Sequence, residues 1–168
     1  EDKKVEEEKA EEESGEAAAA RKAEEEALAL KEEGNRLLAA GDVLGAEERF
    51  SSALALAPDN AAMLLNRSLA RLKLAETQGN NTALSGALSD ARDAARLHSD
   101  NPKAHFRMGK ALLGLGQLSE ALAAAKKAAQ LQPGDAGISG LLSDVKSALQ
   151  RRKAELQAEE AKRRAADV

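Results

Sequence analysis

The sequence has no cysteine, tryptophan or tyrosine, only two phenylalanines (Phe50 and Phe106) and three prolines (Pro58, Pro102 and Pro133). Without thiols there is no disulfide, no thiolate metal site and no cysteine nucleophile. That absence fits a reducing compartment, and a cytoplasmic location is expected. Histidine occurs only at His98 and His105, seven residues apart with no acid or cysteine at ligand spacing, so neither metal nor other cofactor is expected. No Ser, His and Asp set suggests a catalytic triad. Gly109-Lys110 lacks the rest of a phosphate-binding loop and follows no strand. The expectation is a protein that is not an enzyme. No apolar stretch approaches the roughly 18 residues of a membrane span. The chain opens on charge rather than on a secretory signal, and its start at Glu1 rather than Met suggests a piece of a longer protein.

Hydrophobic residues make up 43% of the chain, and most of them are alanine and leucine, the strongest apolar helix formers. Residues that favour strands are scarce, so the fold class is all-α. Small alanine side chains give a sufficient core only if many helices stack closely. The net charge of −4 is unevenly spread. Acid outweighs base in residues 1–33, and base slightly outweighs acid in the remainder, which makes the body a plausible host for an anionic ligand.

Residues 1–26 are Glu, Lys and Ala with almost no large apolar residue. Such a segment is helix-prone but has nothing to bury, and reads as a solvated or frayed helical arm, or as disorder. From there on, helical stretches alternate with turn signals. Ala27–Ala40 and Leu44–Ala57 flank Gly41-Asp42, with a stop at Pro58-Asp59. Asn60 caps Ala61–Ala75. Asn101-Pro102 starts Lys103–Leu115, since proline is tolerated in a first helical turn. Gly116 leads to Ser119–Leu131, which Pro133-Gly134 ends, and a last helix runs from about Gly137 to the region of Glu159.

These helix pairs repeat. With Pro58 and Pro133 at position 32 of a repeat of about 34 residues, position 8 is Gly34 and Gly109, position 20 is Ala46 and Ala121, and position 27 is Ala53 and Ala128. The middle segment places Ala87, Ala91 and Ala94 at positions 20, 24 and 27. Two helices that cross tightly admit only small side chains at such positions. The pattern resembles the tetratricopeptide repeat, and repeat 1 supplies Leu30, Gly34, Ala46, Phe50 and Pro58 at the family's signature positions. The resemblance implies a right-handed superhelical array of three helix-turn-helix repeats (27–60, 61–101 and 102–135), followed by a C-terminal capping helix and basic tail (136–168). Three departures stand out. His105 replaces a bulky apolar residue, the middle repeat carries Ser68 and Ser99 where Gly and Pro are usual, and it is about seven residues longer, with the excess around Thr77–Thr82. Longer helices, or a loop, would absorb that excess.

The first helix of each pair lines the concave face of such an array. On those helices Lys31 and Asn35, and likewise Lys103 and Arg107, stand four residues apart and so share a face, while Asn66 lies between them in sequence. Three cations and two amides are chemically suited to hold two carboxylates, and the fold needs none of the five. The set resembles the dicarboxylate clamp of co-chaperone tetratricopeptide domains. That resemblance implies Lys31, Asn35 and Asn66 on a terminal α-carboxylate, Lys103 on the side chain of a final Asp, and Arg107 on the ligand backbone or an upstream acid. The implied partners are the Glu-Glu-Val-Asp C-terminal tails of the 70- and 90-kDa heat-shock chaperones. The competing reading is a repeat scaffold that binds an internal or non-chaperone segment.

His105, between Lys103 and Arg107, is expected to pack rather than to bind. The basic clusters Arg151-Arg152-Lys153 and Lys162-Arg163-Arg164 are interleaved with acids and have no aromatic for base stacking, so no nucleic-acid partner is expected. A monomer is the expected state. The acidic arm offers one further idea, that it folds back over the clamp.

Overall fold

The computed structural model describes residues 2–166, with side chains from residue 15 onward. Its described residues form seven helices: α1 (Asp2–Ala40), α2 (Val43–Leu56), α3 (Ala61–Gln78), α4 (Asn81–Leu97), α5 (Pro102–Gly114), α6 (Leu118–Leu131) and α7 (Ala136–Ala166). The starts of the helices follow the amide and carboxylate signals in the sequence. Asp42, Asn60, Asn80, Asn101 and Asp135 each accept a hydrogen bond from a backbone N–H of the first turn of the helix that follows, at 2.9–3.0 Å. Between α3 and α4 the chain turns at Gly79, whose φ of 62° is a left-handed helix end that glycine adopts without strain.

Each helix packs on its neighbours in sequence, and α1, α3, α5 and α7 also pack side by side. Among the described residues the even-numbered helices do not pack backbone to backbone, and α4 and α6 are joined at the surface by the Arg92–Glu120 pair at 3.0 Å. The odd helices therefore form an inner layer and the even ones an outer, splayed layer. This is the curved array expected of stacked helix pairs, and it turns the faces of α1, α3 and α5 toward a common groove.

The core that sets this spacing is mostly alanine. Ala46, Ala53, Ala87, Ala91, Ala94, Ala121, Ala125 and Ala128 are fully buried at the helix crossings. Gly34 lies directly under the ring of Phe50, where an added Cβ would stand 2.6 Å from Cε1 of that buried ring. In the middle repeat Ser68 takes the glycine's place. It is fully buried, and its hydroxyl donates to the Ala87 carbonyl at 2.8 Å, so its polarity is satisfied at the crossing.

The seven extra residues of the middle repeat are helical. α3 has 18 residues and α4 has 17, against 14, 13 and 14 in α2, α5 and α6. Each is thus about one turn longer. The added turns project at the Gly79 end, whereas Asn66 lies near the opposite end of α3. The arm, too, is part of a helix: α1 runs unbroken from Asp2 to Ala40. The boundary expected after residue 26 falls inside it and is marked only by burial. Residues 15–26 are exposed or nearly so, and Ala27 is fully buried. At the other end α7 buries Ile138, Leu141 and Val145 and is exposed from residue 150 onward.

One polar network ties three helices together. Asp90 on α4 is only 2% exposed and accepts from Nε and Nη2 of Arg67 at 2.9 and 2.7 Å, and from Nη1 of Arg71 at 2.9 Å. Arg71 also reaches Glu47 on α2 at 2.7 Å. The Asp90 hydrogen bond, opposed by burial, raises the pKa of Arg67 above the ordinary guanidinium value. Neutralising the shared acceptor leaves the Arg67 guanidinium without a counter-charge at a largely buried junction, while Arg71 keeps Glu47. Asp90→Asn is therefore expected to lower the unfolding free energy by about 2–3 kcal/mol in urea. Glu120→Gln, which breaks the exposed pair with Arg92, should cost less than about 0.5 kcal/mol.

Candidate functional site: the concave groove

α1, α3 and α5 bring four of the five predicted residues into direct or near-direct contact. Nδ2 of Asn66 donates to Oδ1 of Asn35 at 2.9 Å, which links α3 to α1. Arg107 on α5 donates from Nη1 to the carbonyl of Leu65, the residue before Asn66. Asn66, Lys103 and Arg107 line one open cleft of about 500 Å3 with Asp59, Asn60, His98 and Asn101. Lys31 is half-buried on the same face of α1 as Asn35, one turn away. Neither Lys31 nor Asn35 lines that cleft, and Asn35 adjoins it through its hydrogen bond with Asn66.

Among the described residues some cations are paired and others, such as the exposed Lys126, Lys127 and Lys146, are not; among the groove cations burial makes the difference. Arg49, Arg67, Arg71, Arg92 and Lys110 each stand within 3.3 Å of a carboxylate. Among the described residues Lys31, Lys103 and Arg107 have no such partner. Arg107 is the clearest case: burial alone, with no compensating acid, pushes its pKa down to about 10. It still carries its charge at neutral pH, so the groove holds a desolvated cation that lacks an anion.

Lys103 and Arg107 also line a second, more apolar cleft of about 350 Å3, with Leu69, Leu72, Lys73, Phe106 and Ile138. Sequence reasoning passed over these residues, although a helical period finds most of them. Leu69 and Lys73 stand three and seven positions after Asn66, and Phe106 three after Lys103. Asp59, Asn60, His98 and Asn101 carry no such signal, because they belong to turns that come together only when repeats stack. His105 does not face the groove. Its Nε2 lies 2.9 Å from the Ser99 carbonyl, and its ring lines a cleft with Met108, Leu112 and Ala124, in line with packing. The basic clusters of α7 are exposed and line no cleft described here. Residues 15–26 of the arm are exposed or nearly so on the unbroken α1.

The inner layer of odd helices and the groove across it define the class: the chain is a tetratricopeptide-repeat domain. The model of the tetratricopeptide repeat family matches residues 102–135, the α5–α6 pair. Among individual proteins, the Hsp70-Hsp90 organizing protein of Triticum aestivum is 37% identical over 118 residues, covering 70% of this chain and 19% of that protein. The chain spans only 13–29% of the length of this and other curated relatives that it matches. The first tetratricopeptide domain of Spaghetti (RPAP3), solved bound to the HSP90 peptide SRMEEVD, superposes with a TM-score of 0.68 at 27% identity, covering 76% of this chain and 95% of that one. The second such domain of human RPAP3, solved with the HSP70 peptide SGPTIEEVD, gives 0.66 at 28% identity, covering 74% and 98%. No helix among the described residues is long and apolar enough to cross a membrane.

Because burial disfavours the charge on Arg107, the side chain contributes little to holding the repeats together. Arg107→Ala is expected to change the unfolding free energy by less than about 1 kcal/mol, read from urea transitions. A loss as large as that predicted for Asp90→Asn would mean that the guanidinium serves the fold.

Proposed function

We propose that the groove binds the free acidic C-terminus of a partner polypeptide, of the Glu-Glu-Val-Asp kind borne by the 70- and 90-kDa heat-shock chaperones, and that the chain works as a non-enzymatic co-chaperone adaptor. The observation that carries the reading is the convergence of Asn35, Asn66, Lys103 and Arg107 on one groove, where neither Lys103 nor Arg107 has a protein carboxylate within ion-pair distance among the described residues. The peptide-bound structures of RPAP3 domains support it, as does the similarity to the wheat organizing protein.

In this reading the terminal carboxylate sits at the α1–α3 junction. The Lys31 ammonium and the amide N–H groups of Asn35 and Asn66 donate to its two oxygens. Asn66 already leans on Asn35, so little side-chain freedom is lost on binding. Lys103 meets the carboxylate of the final Asp side chain. Arg107, already desolvated, gains an anionic or carbonyl acceptor without further loss of hydration. Charge-assisted hydrogen bonds of this kind contribute about 1.5–3 kcal/mol each. Residues upstream of the last Asp would run into the apolar cleft of Leu69, Leu72, Phe106 and Ile138, beside Lys73. A cytoplasmic location accompanies this reading.

The test is calorimetry with a Glu-Glu-Val-Asp peptide carrying a free or an amidated C-terminus. The free acid is expected to bind in the micromolar range, about −7 to −8 kcal/mol, and to weaken with salt. Amidation or Lys103→Ala should cost at least about 2 kcal/mol. Equal binding of acid and amide would sink the clamp and favour a scaffold for internal segments.

A further inference from the structure

The cleft at the start of α3 and α5 contains one side chain that neither the fold nor the clamp requires. His98 is the C-cap residue of α4, and it lines the same cleft as Asn66, Lys103 and Arg107. The corresponding C-caps of α2 and α6 are Ala57 and Gln132, so this kind of helix end has no need of an imidazole. The backbone that carries it is fixed from both sides. The His98 N–H donates to the Ala94 carbonyl at 2.9 Å, and its carbonyl accepts from the Asn101 N–H at 3.2 Å. The carbonyl of the next residue, Ser99, is met by His105 at 2.9 Å. The His98 ring itself is exposed.

The charged groups around this ring are few. From the α2–α3 turn comes Asp59, and from α5 come Lys103 and Arg107. α3 presents only the neutral amides of Asn60 and Asn66. On its own helix Asp93 and Arg96 pair with each other at 3.3 Å, and Asp100 follows in its own turn. The cleft thus carries two cations and one acid before His98 is counted, alongside amide donors. The side-chain oxygens of Asn60 and Asn101 already accept the N–H groups of Met63 and Lys103, which leaves the NH2 groups of both as donors.

We propose that His98 is a further ligand-binding residue of the groove: its protonated imidazole donates to a carboxylate of the bound tail, beside Lys103, and makes binding proton-linked. The proposal rests on the clamp reading. A carboxylate in the cleft favours the charged imidazole, so binding takes up protons near neutral pH and tightens as the pH falls. Carboxylates ordinarily titrate well below this range, and ammonium and guanidinium groups above it. With the peptide N-terminus acetylated, the two histidines are the side chains that remain, and His105 faces another cleft.

Binding of an acetylated Glu-Glu-Val-Asp peptide would be measured by calorimetry at about pH 6, 7 and 8 and constant ionic strength, using the unaltered chain, His98→Gln and His98→Lys. The unaltered chain should bind about three- to tenfold more tightly at the lowest pH than at the highest, with proton uptake visible as a dependence of the heat on the buffer. His98→Gln should bind independently of pH at the weaker affinity, and His98→Lys independently of pH near the tighter one. A flat profile for the unaltered chain that still binds, or an undiminished slope in His98→Gln, would overturn the role of His98 and leave the clamp standing. Failure of all three chains to bind the free acid at any pH would overturn the clamp, and this assignment with it.

Discussion

Close contact between alanines is the constraint on which the rest of this molecule depends. With so few aromatic residues, the helices gain little from any single side chain and must instead approach closely over many small ones. Ala46, Ala53, Ala87, Ala94, Ala121 and Ala128, all fully buried, set the crossing of each pair, and Gly34 under Phe50 sets how near α1 comes to α2. A larger side chain at one of these places would push a pair apart and tilt every repeat after it, because each helix touches only its near neighbours in the array. The site inherits its accuracy from this spacing. Asn35, Asn66 and Arg107 come from three different repeats, yet Asn66 is hydrogen-bonded to Asn35, and Arg107 to the residue before Asn66.

Two kinds of charge coexist on α3 and its neighbours. Arg67 and Arg71 point into the junction with α2 and α4, where Asp90 and Glu47 neutralise them; they serve the fold. Lys103 and Arg107 point into the groove and meet no carboxylate. A protein that needed these cations for stability would have paired them. Leaving Arg107 desolvated without a counter-charge costs free energy, which an anionic ligand would offset in the proposed function. The extra turns of α3 and α4 lie at the far end of those helices from Asn66, so the middle repeat is longer without separating the two halves of the groove.

Much of this was legible in the sequence, for physical reasons that differ from element to element. Alanine and glycine at fixed spacing, with proline after the second helix, reveal helix pairs because crossing geometry admits little else there. Lys31, Asn35, Asn66, Lys103 and Arg107 stand out because a repeat fold has no use for them. The unbroken α1 was not legible: the Glu, Lys and Ala of its arm favour helix, but no apolar stripe marks it and no cap signal separates it from repeat 1. Asp90, Arg67 and Arg71 read as ordinary solvated charges, since burial of a network depends on three helices at once. His98 and Asp59 were missed because turns carry no period, and only stacking places them in the cleft.

In the proposed function two carboxylates of one ligand are held by opposite sides of the groove. A double-mutant cycle tests it most directly, pairing Lys31→Ala and Lys103→Ala with peptides changed either at the terminal carboxylate (amide) or at the last side chain (Asp to Asn). Lys31 should couple to the terminal carboxylate and Lys103 to the Asp side chain by about 1 kcal/mol or more, with cross-pairs near zero. Equal coupling of both lysines to both ligand groups, or none at all, would contradict the two-sided clamp and leave a diffuse electrostatic surface in its place.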